Sequence, residues 1–190
     1  FAIAQANDQL AAVDGTDTRR IGRVADLQKV LSLHTEVLQI VLPSNSAIKD
    51  VSDLLERRVS SGNRGSGTSL ITSDLFAALG LNDHDFIKAD SITMDLQATA
   101  LCSGSVDAFT VVSAVPTANV SDAMNQCGAR LLPLQGPLVD NFLSRSIGLM
   151  KAEIPLGIYS TPQAPTPSIG VYAGLVTRAN VPDHIVREVV

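Results

Sequence analysis

The sequence predicts an α/β protein with a mostly parallel sheet. Short apolar runs alternate with amphipathic stretches, glycines stand at several of the junctions, and the connections are short. Strands that alternate with helices in this way form parallel sheets covered on both faces. The 190 residues, 45% of them hydrophobic, suffice for one large or two small cores.

The first half contains three predicted strands and one predicted helix. The strands are the opening Phe1–Gln5, the apolar run Val37–Leu42 and the short run Arg58–Ser61. A glycine-rich turn then leads into a helix from about Thr68 to Leu79, which has one apolar face. Gly80 suits a left-handed cap at the end of that helix.

The second half repeats the strand and helix pattern. A helix from about Ser91 to Ser103 places Ile92, Leu96 and Leu101 on one side. Pro116 is expected at the first position of the next helix, which Gly128 ends. The other predicted elements are the strands Val106–Val112, Ala129–Leu134 and Ile169–Val176, helical sequence over Leu138–Ile147, a proline-rich linker over Ser160–Ser168, and a helix from Pro182.

Both ends of the chain are expected to be truncated. Phe1 begins inside a strand pattern, and Arg187–Val190 ends inside a helical one. No leader precedes Phe1, so we expect any signal peptide to have been removed or left out.

The composition argues against nucleic acid and the membrane as partners. The formal charge is −5, the pI is about 5.0, tryptophan is absent, and the basic pairs Arg19–Arg20 and Arg57–Arg58 stand alone, so we expect no nucleic-acid partner. No apolar run approaches the roughly 20 residues that span a bilayer, so we expect no direct membrane insertion.

Cysteine and histidine do not form a metal-binding pattern. Cys102 and Cys127 are too few for a zinc site, and the histidines at 34, 84 and 184 are scattered and expected at the surface. We therefore expect no metal and no cofactor. The two cysteines fit either one disulfide or two buried thiols.

The strongest local pattern is the turn before the first long helix, which contains Gly65, Ser66, Gly67 and Thr68. Glycines let backbone N–H groups converge, and a helix N-terminus favours a negative charge, so the turn suits an anion. Gly67 stands where a Walker A loop needs lysine, which disfavours nucleotides. The alternative is that Ser66 or Thr68 only caps the helix.

A second turn follows the strand Val106–Val112. It contains Ser113, Val115 and Pro116 and lies at the carboxyl end of a strand, the edge at which open α/β sheets bind ligands. Two such turns in one sheet would face one crevice. The alternative is a strand that ends at a proline-initiated helix.

Five segments together resemble the TAXI-type solute receptors of tripartite ATP-independent periplasmic (TRAP) transporters. The resemblance covers nearly the whole chain and is carried by the order and spacing of Ile48–Leu54, Gly65–Thr68, Val106–Phe109, Val115–Ala118 and Leu175–Pro182.

This resemblance implies a type II periplasmic-binding-protein fold with two lobes. Lobe I would comprise residues 1–55 and 165–190 and lobe II residues 56–164, with a small carboxylate such as glutamate or 2-oxoglutarate bound between them. The protein would be periplasmic, and its partner would be the TRAP permease in the membrane.

The resemblance also implies the site residues. The ligand carboxylate would lie on Gly65, Ser66, Gly67 and Thr68, opposite a wall formed by Ser113, Val115 and Pro116, with Gln5, Asn7 and Tyr159 as further contacts. By the same resemblance, we expect the family's usual first strand and helix to be missing from this sequence. A periplasmic location would permit a bond between Cys102 and Cys127, because both end helices that precede successive strands; two buried thiols remain the alternative.

A binding protein needs no catalytic group, so we expect no enzyme activity. A hydrolase would use Ser66 or Ser113 as its nucleophile, but neither His84 nor His184 lies in a motif that presents a base. A regulatory ligand-sensing domain of the same fold is the other alternative.

Overall fold

The computed structural model describes residues 1–16, 22–81, 87–88, 92–160 and 164–190. Eight strands of the described chain form one sheet, in the order β1-β8-β2-β5-β3-β4, with β6 beside β2 and β7 beside β8. The strands are β1 (Ala2–Gln5), β2 (Leu27–Leu42), β3 (Arg58–Ser60), β4 (Ile87–Lys88), β5 (Ala108–Ser113), β6 (Arg130–Leu131), β7 (Leu149–Ile154) and β8 (Thr166–Arg178). The helices are α1 (Ala6–Asp14), α2 (Gly67–Ala78), α3 (Gln97–Cys102), α4 (Ala118–Cys127), α5 (Pro137–Arg145) and α6 (Asp183–Val189), with 3-10 turns at Val51–Leu54 and Met94–Leu96.

The sheet is mixed, so the prediction of a mostly parallel sheet was wrong. Among the described strands, β3 pairs in parallel with β4 and β5, whereas β1, β2, β5, β6, β7 and β8 are joined by antiparallel pairings. The reason is the long strand β2, which runs antiparallel to β8 from Leu27 opposite Arg178 to Val37 opposite Gly170. The expected alternation holds only around β3, β4 and β5.

Hydrophobic cores lie on both faces of the sheet because β2 and β5 alternate their side chains. Leu38, Ile40 and Leu42 pack with α2 and α5 on one face. Val37 and Val41 pack with α3 and α4 on the other, among Phe109, Val120 and Ala123. One face of α4 is buried in the second of these cores, where Val120 and Ala123 are fully buried and Met124 is nearly so.

Two predicted helices begin differently from expectation. The segment that contains Leu96 opens with a 3-10 turn, which changes the phase of its side chains and leaves Leu96 53% exposed, whereas Leu101 is buried as predicted. Pro116 follows a cis peptide bond after Val115 and is not at the first helical position. Helix α4 begins at Ala118 after Thr117 instead.

Several elements differ from prediction in extent or were not predicted. The sequence did not predict α1 and β7, and it predicted only the buried end of β2, whose first ten residues are half-buried or exposed. Strand β8 begins at Thr166, inside the predicted linker, and the strand expected over residues 129–134 is only Arg130–Leu131. Residues 161–163 of that linker, Ser91 and His84 lie outside the described residues.

The cysteines are bonded to each other. Their sulfurs are 2.06 Å apart, and the bond joins the last residue of α3 to the last residue of α4. The predicted division into lobes remains a prediction. Strands β2 and β8 belong to one continuous sheet.

No helix in the described part of the chain is long and apolar enough to cross a membrane.

Candidate functional site

A notch in the sheet holds the first predicted site segment. Strand β3 ends at Ser60, opposite Phe109, whereas its parallel neighbour β5 continues to Ser113. The N-terminus of α2 occupies the place that β3 vacates, and the backbone N–H of Val112 donates to Thr68 Oγ1 at 2.9 Å. The two predicted turns are therefore held together at the carboxyl edge of β3 and β5.

Ser66 is the N-cap of α2. Its Oγ accepts a hydrogen bond from the Ser69 backbone N–H at 3.2 Å, which satisfies one of the N–H groups that a helix start leaves without an intrahelical acceptor. Gly65 has φ +81° and is exposed, a backbone conformation that glycine adopts without strain. The local sequence thus presents the positive end of a 12-residue helix at the notch.

The side chain of Gln5 lies against this helix start. A Cβ atom on Gly67 would be 2.2 Å from Gln5 Oε1, so only glycine leaves room for the amide in its present position. Gln5 Nε2 donates to Glu36 Oε2 at 2.6 Å, whereas Gln5 Oε1 is buried without a hydrogen-bond partner among the described residues. Gln5 is thus beside the predicted anion site, together with Glu36, which the sequence analysis did not identify.

Glu36 places a carboxylate near the notch. Its side chain is 21% exposed, and its Oε1 is 3.7 Å from His34 Nε2. The next residue, Val37, pairs with Ser113 at the end of β5. The neighbourhood is therefore not uniformly suited to an anion, because it combines a helix N-terminus with an acidic group.

The second turn is held by partly buried hydrogen bonds. Thr117 Oγ1 donates to the Ala114 carbonyl at 2.9 Å, and Gln39 Nε2 donates to Thr117 Oγ1 at 3.1 Å. The Thr117 backbone N–H donates to the Tyr159 hydroxyl at 3.1 Å, and that hydroxyl donates to Gln39 Oε1. Tyr159, a predicted ligand contact, is therefore engaged in supporting the turn, and burial raises the pKa of its hydroxyl above the usual range.

A second polar chain lies beneath the notch. Gln97 Nε2 donates to Ser60 Oγ at 3.2 Å, and Asn119 Nδ2 donates to Gln97 Oε1 at 2.7 Å. All three residues are buried, and they join β3, α3 and α4. In a sequence, an uncharged polar residue inside an apolar run indicates a buried network of this kind. Gln39 in the run Val37–Leu42, which bonds to Thr117 in the second turn, is an example.

Asn7 lies in a different place from Gln5. It lines a cleft of about 320 Å³ between α1, α2 and the segment after α5, together with Asp8, Asp14, Asp74 and Arg145. Asp74 keeps contact with solvent, but the cleft removes water from part of its carboxyl group. This loss of water, followed by the charge of Asp8, raises the pKa of Asp74.

The predicted site residues thus fall into three groups. Thr68 and the end of β5 are joined directly, Gln5 covers Gly67, and Asn7 and Tyr159 occupy other surroundings. Val115 is half-buried and Pro116 is exposed on the second turn. Among the described residues, no group of three histidine, cysteine, aspartate or glutamate side chains could hold a metal ion.

The fold resembles that of type II periplasmic binding proteins. A TctC solute-binding protein from Polaromonas superposes with a TM-score of 0.57 at 16% identity over 98% of this chain, and a structure described as a periplasmic transporter with 0.53 at 13% identity over 98%. The periplasmic aliphatic sulphonate-binding protein SsuA from Escherichia coli gives 0.49 at 24% identity over 68%. The chain spans 59%, 59% and 41% of these three proteins.

All of residues 1–190 match the NMT1-like family, and the chain belongs to it.

Proposed function

We propose that this protein is a periplasmic solute-binding protein, the TAXI-type receptor of a TRAP transporter, and that it binds a small carboxylate such as glutamate or 2-oxoglutarate. The observation that carries the proposal is the notch where α2 begins beside the end of β5, tied by the 2.9 Å hydrogen bond between Val112 and Thr68. Ligands of open α/β sheets bind at this edge, and membership of the NMT1-like family agrees with a transport role.

In the proposed site, the first turn of α2 binds the ligand carboxylate. Gly65, Ser66, Gly67 and Thr68 contribute backbone N–H groups and the positive end of the helix dipole. Ser113, Val115 and Pro116 form the opposite wall. Thr68 acts mainly as support, because its hydroxyl already accepts from Val112.

Closure of two lobes around the ligand would remove it from water and create the surface that the TRAP permease recognises. The long strands suit this role. Strand β2 belongs to predicted lobe I but pairs with β5 and β6 of predicted lobe II, and β8 pairs with β7 in the same way. Bending of β2 and β8 would then be the hinge.

Ser66 is engaged as a helix cap, which is a structural role and not one of a nucleophile. Of the two candidate bases, His184 is exposed on α6, and His84 lies outside the described residues. Nothing in these contacts favours the hydrolase alternative over binding.

The test is a thermal-shift and calorimetry panel of glutamate, glutamine, 2-oxoglutarate, succinate and phosphate. We expect one or more of the carboxylates to bind. Ser66→Ala removes a hydroxyl at the helix start and should weaken binding by about tenfold, the worth of one hydrogen bond to a charged group. Gly67→Ala places a methyl group where the ligand carboxylate is proposed to lie and should also weaken binding.

The control is Ser73→Ala, which lies further along α2 and away from the notch. Far-ultraviolet circular dichroism checks that each variant is folded, since loss of the Ser66 cap alone costs about 1 kcal/mol. Carboxylate binding that is equal in wild type, Ser66→Ala and Gly67→Ala would place the site elsewhere and contradict the assignment.

A further inference from the structure

The Gln5 amide bridges two groups of opposite character. Its nitrogen donates to the Glu36 carboxylate at 2.6 Å, and its oxygen lies over the start of α2, 2.2 Å from the position of a Gly67 Cβ. A carboxylate only accepts hydrogen bonds, so the amide nitrogen must face Glu36 and the oxygen must face the helix. The orientation of the amide therefore follows from its surroundings.

The two groups beside Gln5 each favour a charged partner, and the Gln5 amide is neutral. Glu36 carries a full negative charge and favours a cation, whereas a helix N-terminus favours an anion. The Gln5 oxygen is buried without a donor among the described residues, although the helix start beside it is a source of donors. A neutral amide fills the gap between these groups without satisfying either of them fully.

We propose that the Gln5 side chain stands in for a ligand that carries an ammonium and a carboxylate group on the same carbon atom. The inference rests on the proposed function and narrows its ligand class to amino acids. On binding, the ligand displaces the Gln5 amide, its ammonium donates to Glu36, and its carboxylate takes the place of the amide oxygen at Gly67. Glu36 is then the residue that distinguishes an amino acid from a dicarboxylate.

Charge supports this choice of ligand class. The contacts from Gln5 Nε2 to Glu36 and to the Gly67 Cβ position measure 2.6 and 2.9 Å, so a carboxylate bound at Gly67 lies a few ångströms from Glu36. Two carboxylates at that separation repel each other, most strongly where water is excluded. An ammonium between them converts the repulsion into two attractions.

The test compares L-glutamate with glutarate, which differ only in the ammonium group, by isothermal titration calorimetry. Wild type should bind glutamate at least about tenfold more tightly than glutarate. Glu36→Gln should bring the two affinities within about threefold of each other. The matched control, Glu153→Gln, changes an exposed glutamate on β7 and should keep the wild-type ratio.

The proposal that Gln5 occupies the place of the ligand also predicts the effect of removing its side chain. Gln5→Ala should tighten glutamate binding by about threefold, because the ligand no longer has to displace an occupant. If Gln5 were instead a ligand contact, the same variant would weaken binding. Gln126→Ala, on the exposed side of α4, is the control and should leave the affinity unchanged.

The outcomes separate this inference from the proposed function. Equal affinities of wild type for glutamate and glutarate, or weaker glutamate binding by Gln5→Ala, would overturn the inference and leave carboxylate binding in place. Failure of every carboxylate to bind wild type would overturn both. Circular dichroism melting of each variant ensures that a lost affinity is not a lost fold.

Discussion

At the scale of single residues, Thr68 supports the fold at the point where a ligand is proposed to bind. It is buried, and its hydroxyl supplies the acceptor that the Val112 N–H lacks once β3 has ended. A buried N–H without an acceptor costs about 1–3 kcal/mol. The side chain therefore couples the position of α2 to the end of β5.

Thr68→Val should accordingly lower the free energy of unfolding by about 1–3 kcal/mol, because valine has nearly the same shape but leaves Val112 without its acceptor. Urea denaturation measures the loss. Thr68→Ser retains the hydroxyl and should lose distinctly less. A Thr68→Val protein as stable as wild type would show that water or another group satisfies Val112.

Arg58 and Asp107 fasten the beginning of β3 to the segment before β5. Asp107 Oδ2 accepts from the Arg58 backbone N–H at 2.8 Å, and Asp107 Oδ1 accepts from Arg58 Nη2 at 2.7 Å. The side-chain hydrogen bond from Arg58 holds the pKa of Asp107 below its ordinary value, with the backbone bond adding to it, and the pKa of Arg58 is raised in return.

Asp107→Asn should reduce the free energy of unfolding near neutral pH by about 1 kcal/mol, a modest value because both side chains are partly exposed. A lowered pKa stabilises the folded state above the ordinary pKa of about 4, and this contribution is lost as the pH falls through the lower folded-state value. Urea denaturation at a series of pH values should show that acid-dependent loss in wild type and a smaller one in Asp107→Asn.

Asp140→Asn is the comparison. Asp140 pairs with Lys151 at 2.6 Å, but the two side chains are 51% and 74% exposed, and such pairs contribute little. An equal effect of both variants would mean that the Asp107 bonds act only as a surface ion pair.

At the scale of elements, helices α3 and α4 pack side by side and are joined at their ends by the disulfide. The bond spans 25 residues of sequence and includes β5, whose carboxyl end forms the notch. Closing a loop of that size restricts the unfolded chain more than the folded one.

Removal of this disulfide should lower the free energy of unfolding by about 3 kcal/mol, the value expected for a loop of this length. The variant Cys102→Ser with Cys127→Ser is compared with wild type by denaturation with and without dithiothreitol. Reductant should lower the stability of wild type alone. If a reductant frees both thiols and the free energy of unfolding of wild type does not change, the disulfide does not stabilise the fold.

The elements that sequence predicted well are those whose burial is one-sided or complete. The periodicity of α2 and the apolar run at the end of β2 were sufficient to predict these elements, because residues that pack in a core must be apolar. The first part of β2 was not predicted because its residues are half-buried or exposed, and they pair with β8, more than 130 residues away. Helix α1 was hidden because its polar beginning, Asn7 and Asp8, reads as a turn after a strand.

The candidate site was predictable in its backbone and not in its side chains. Glycines between a strand and a helix indicate the helix start at the notch without any knowledge of the fold. The contact of Gln5 with Glu36 joins residues 31 positions apart on strands that are not neighbours in the sheet, and no periodicity reports such a contact. The roles of Thr117 and Gln39 depend in the same way on tertiary structure.

At the scale of the whole molecule, β2 and β8 hold the sheet together. Strand β8 pairs with β1, β2 and β7, and β2 pairs with β5, β6 and β8. Among the described strands, loss of β8 would leave β1 and β7 without a partner, and loss of β2 would leave β6 without one and divide the rest of the sheet in two. We therefore expect the two proposed lobes to unfold together.

Equilibrium denaturation should show one transition, with the same midpoint by far-ultraviolet circular dichroism and by tyrosine fluorescence. Tyrosine fluorescence reports on both proposed lobes, because Tyr159 lies in proposed lobe II and Tyr172 on β8 in proposed lobe I, whereas circular dichroism reports on the helices and strands of the whole chain. Two separate midpoints would show that residues 56–164 unfold independently, and would contradict the shared role of β2 and β8.

The early end of β3 has a consequence for evolution. The notch exists because one strand is shorter than its neighbour, and its floor is the backbone of β5. Its depth is therefore set by how many residues lie between Ser60 and the start of α2, and not by the identity of any core side chain. Related proteins that have adapted to larger or smaller solutes should differ by insertions and deletions in residues 61–66, while the buried strands beneath stay unchanged.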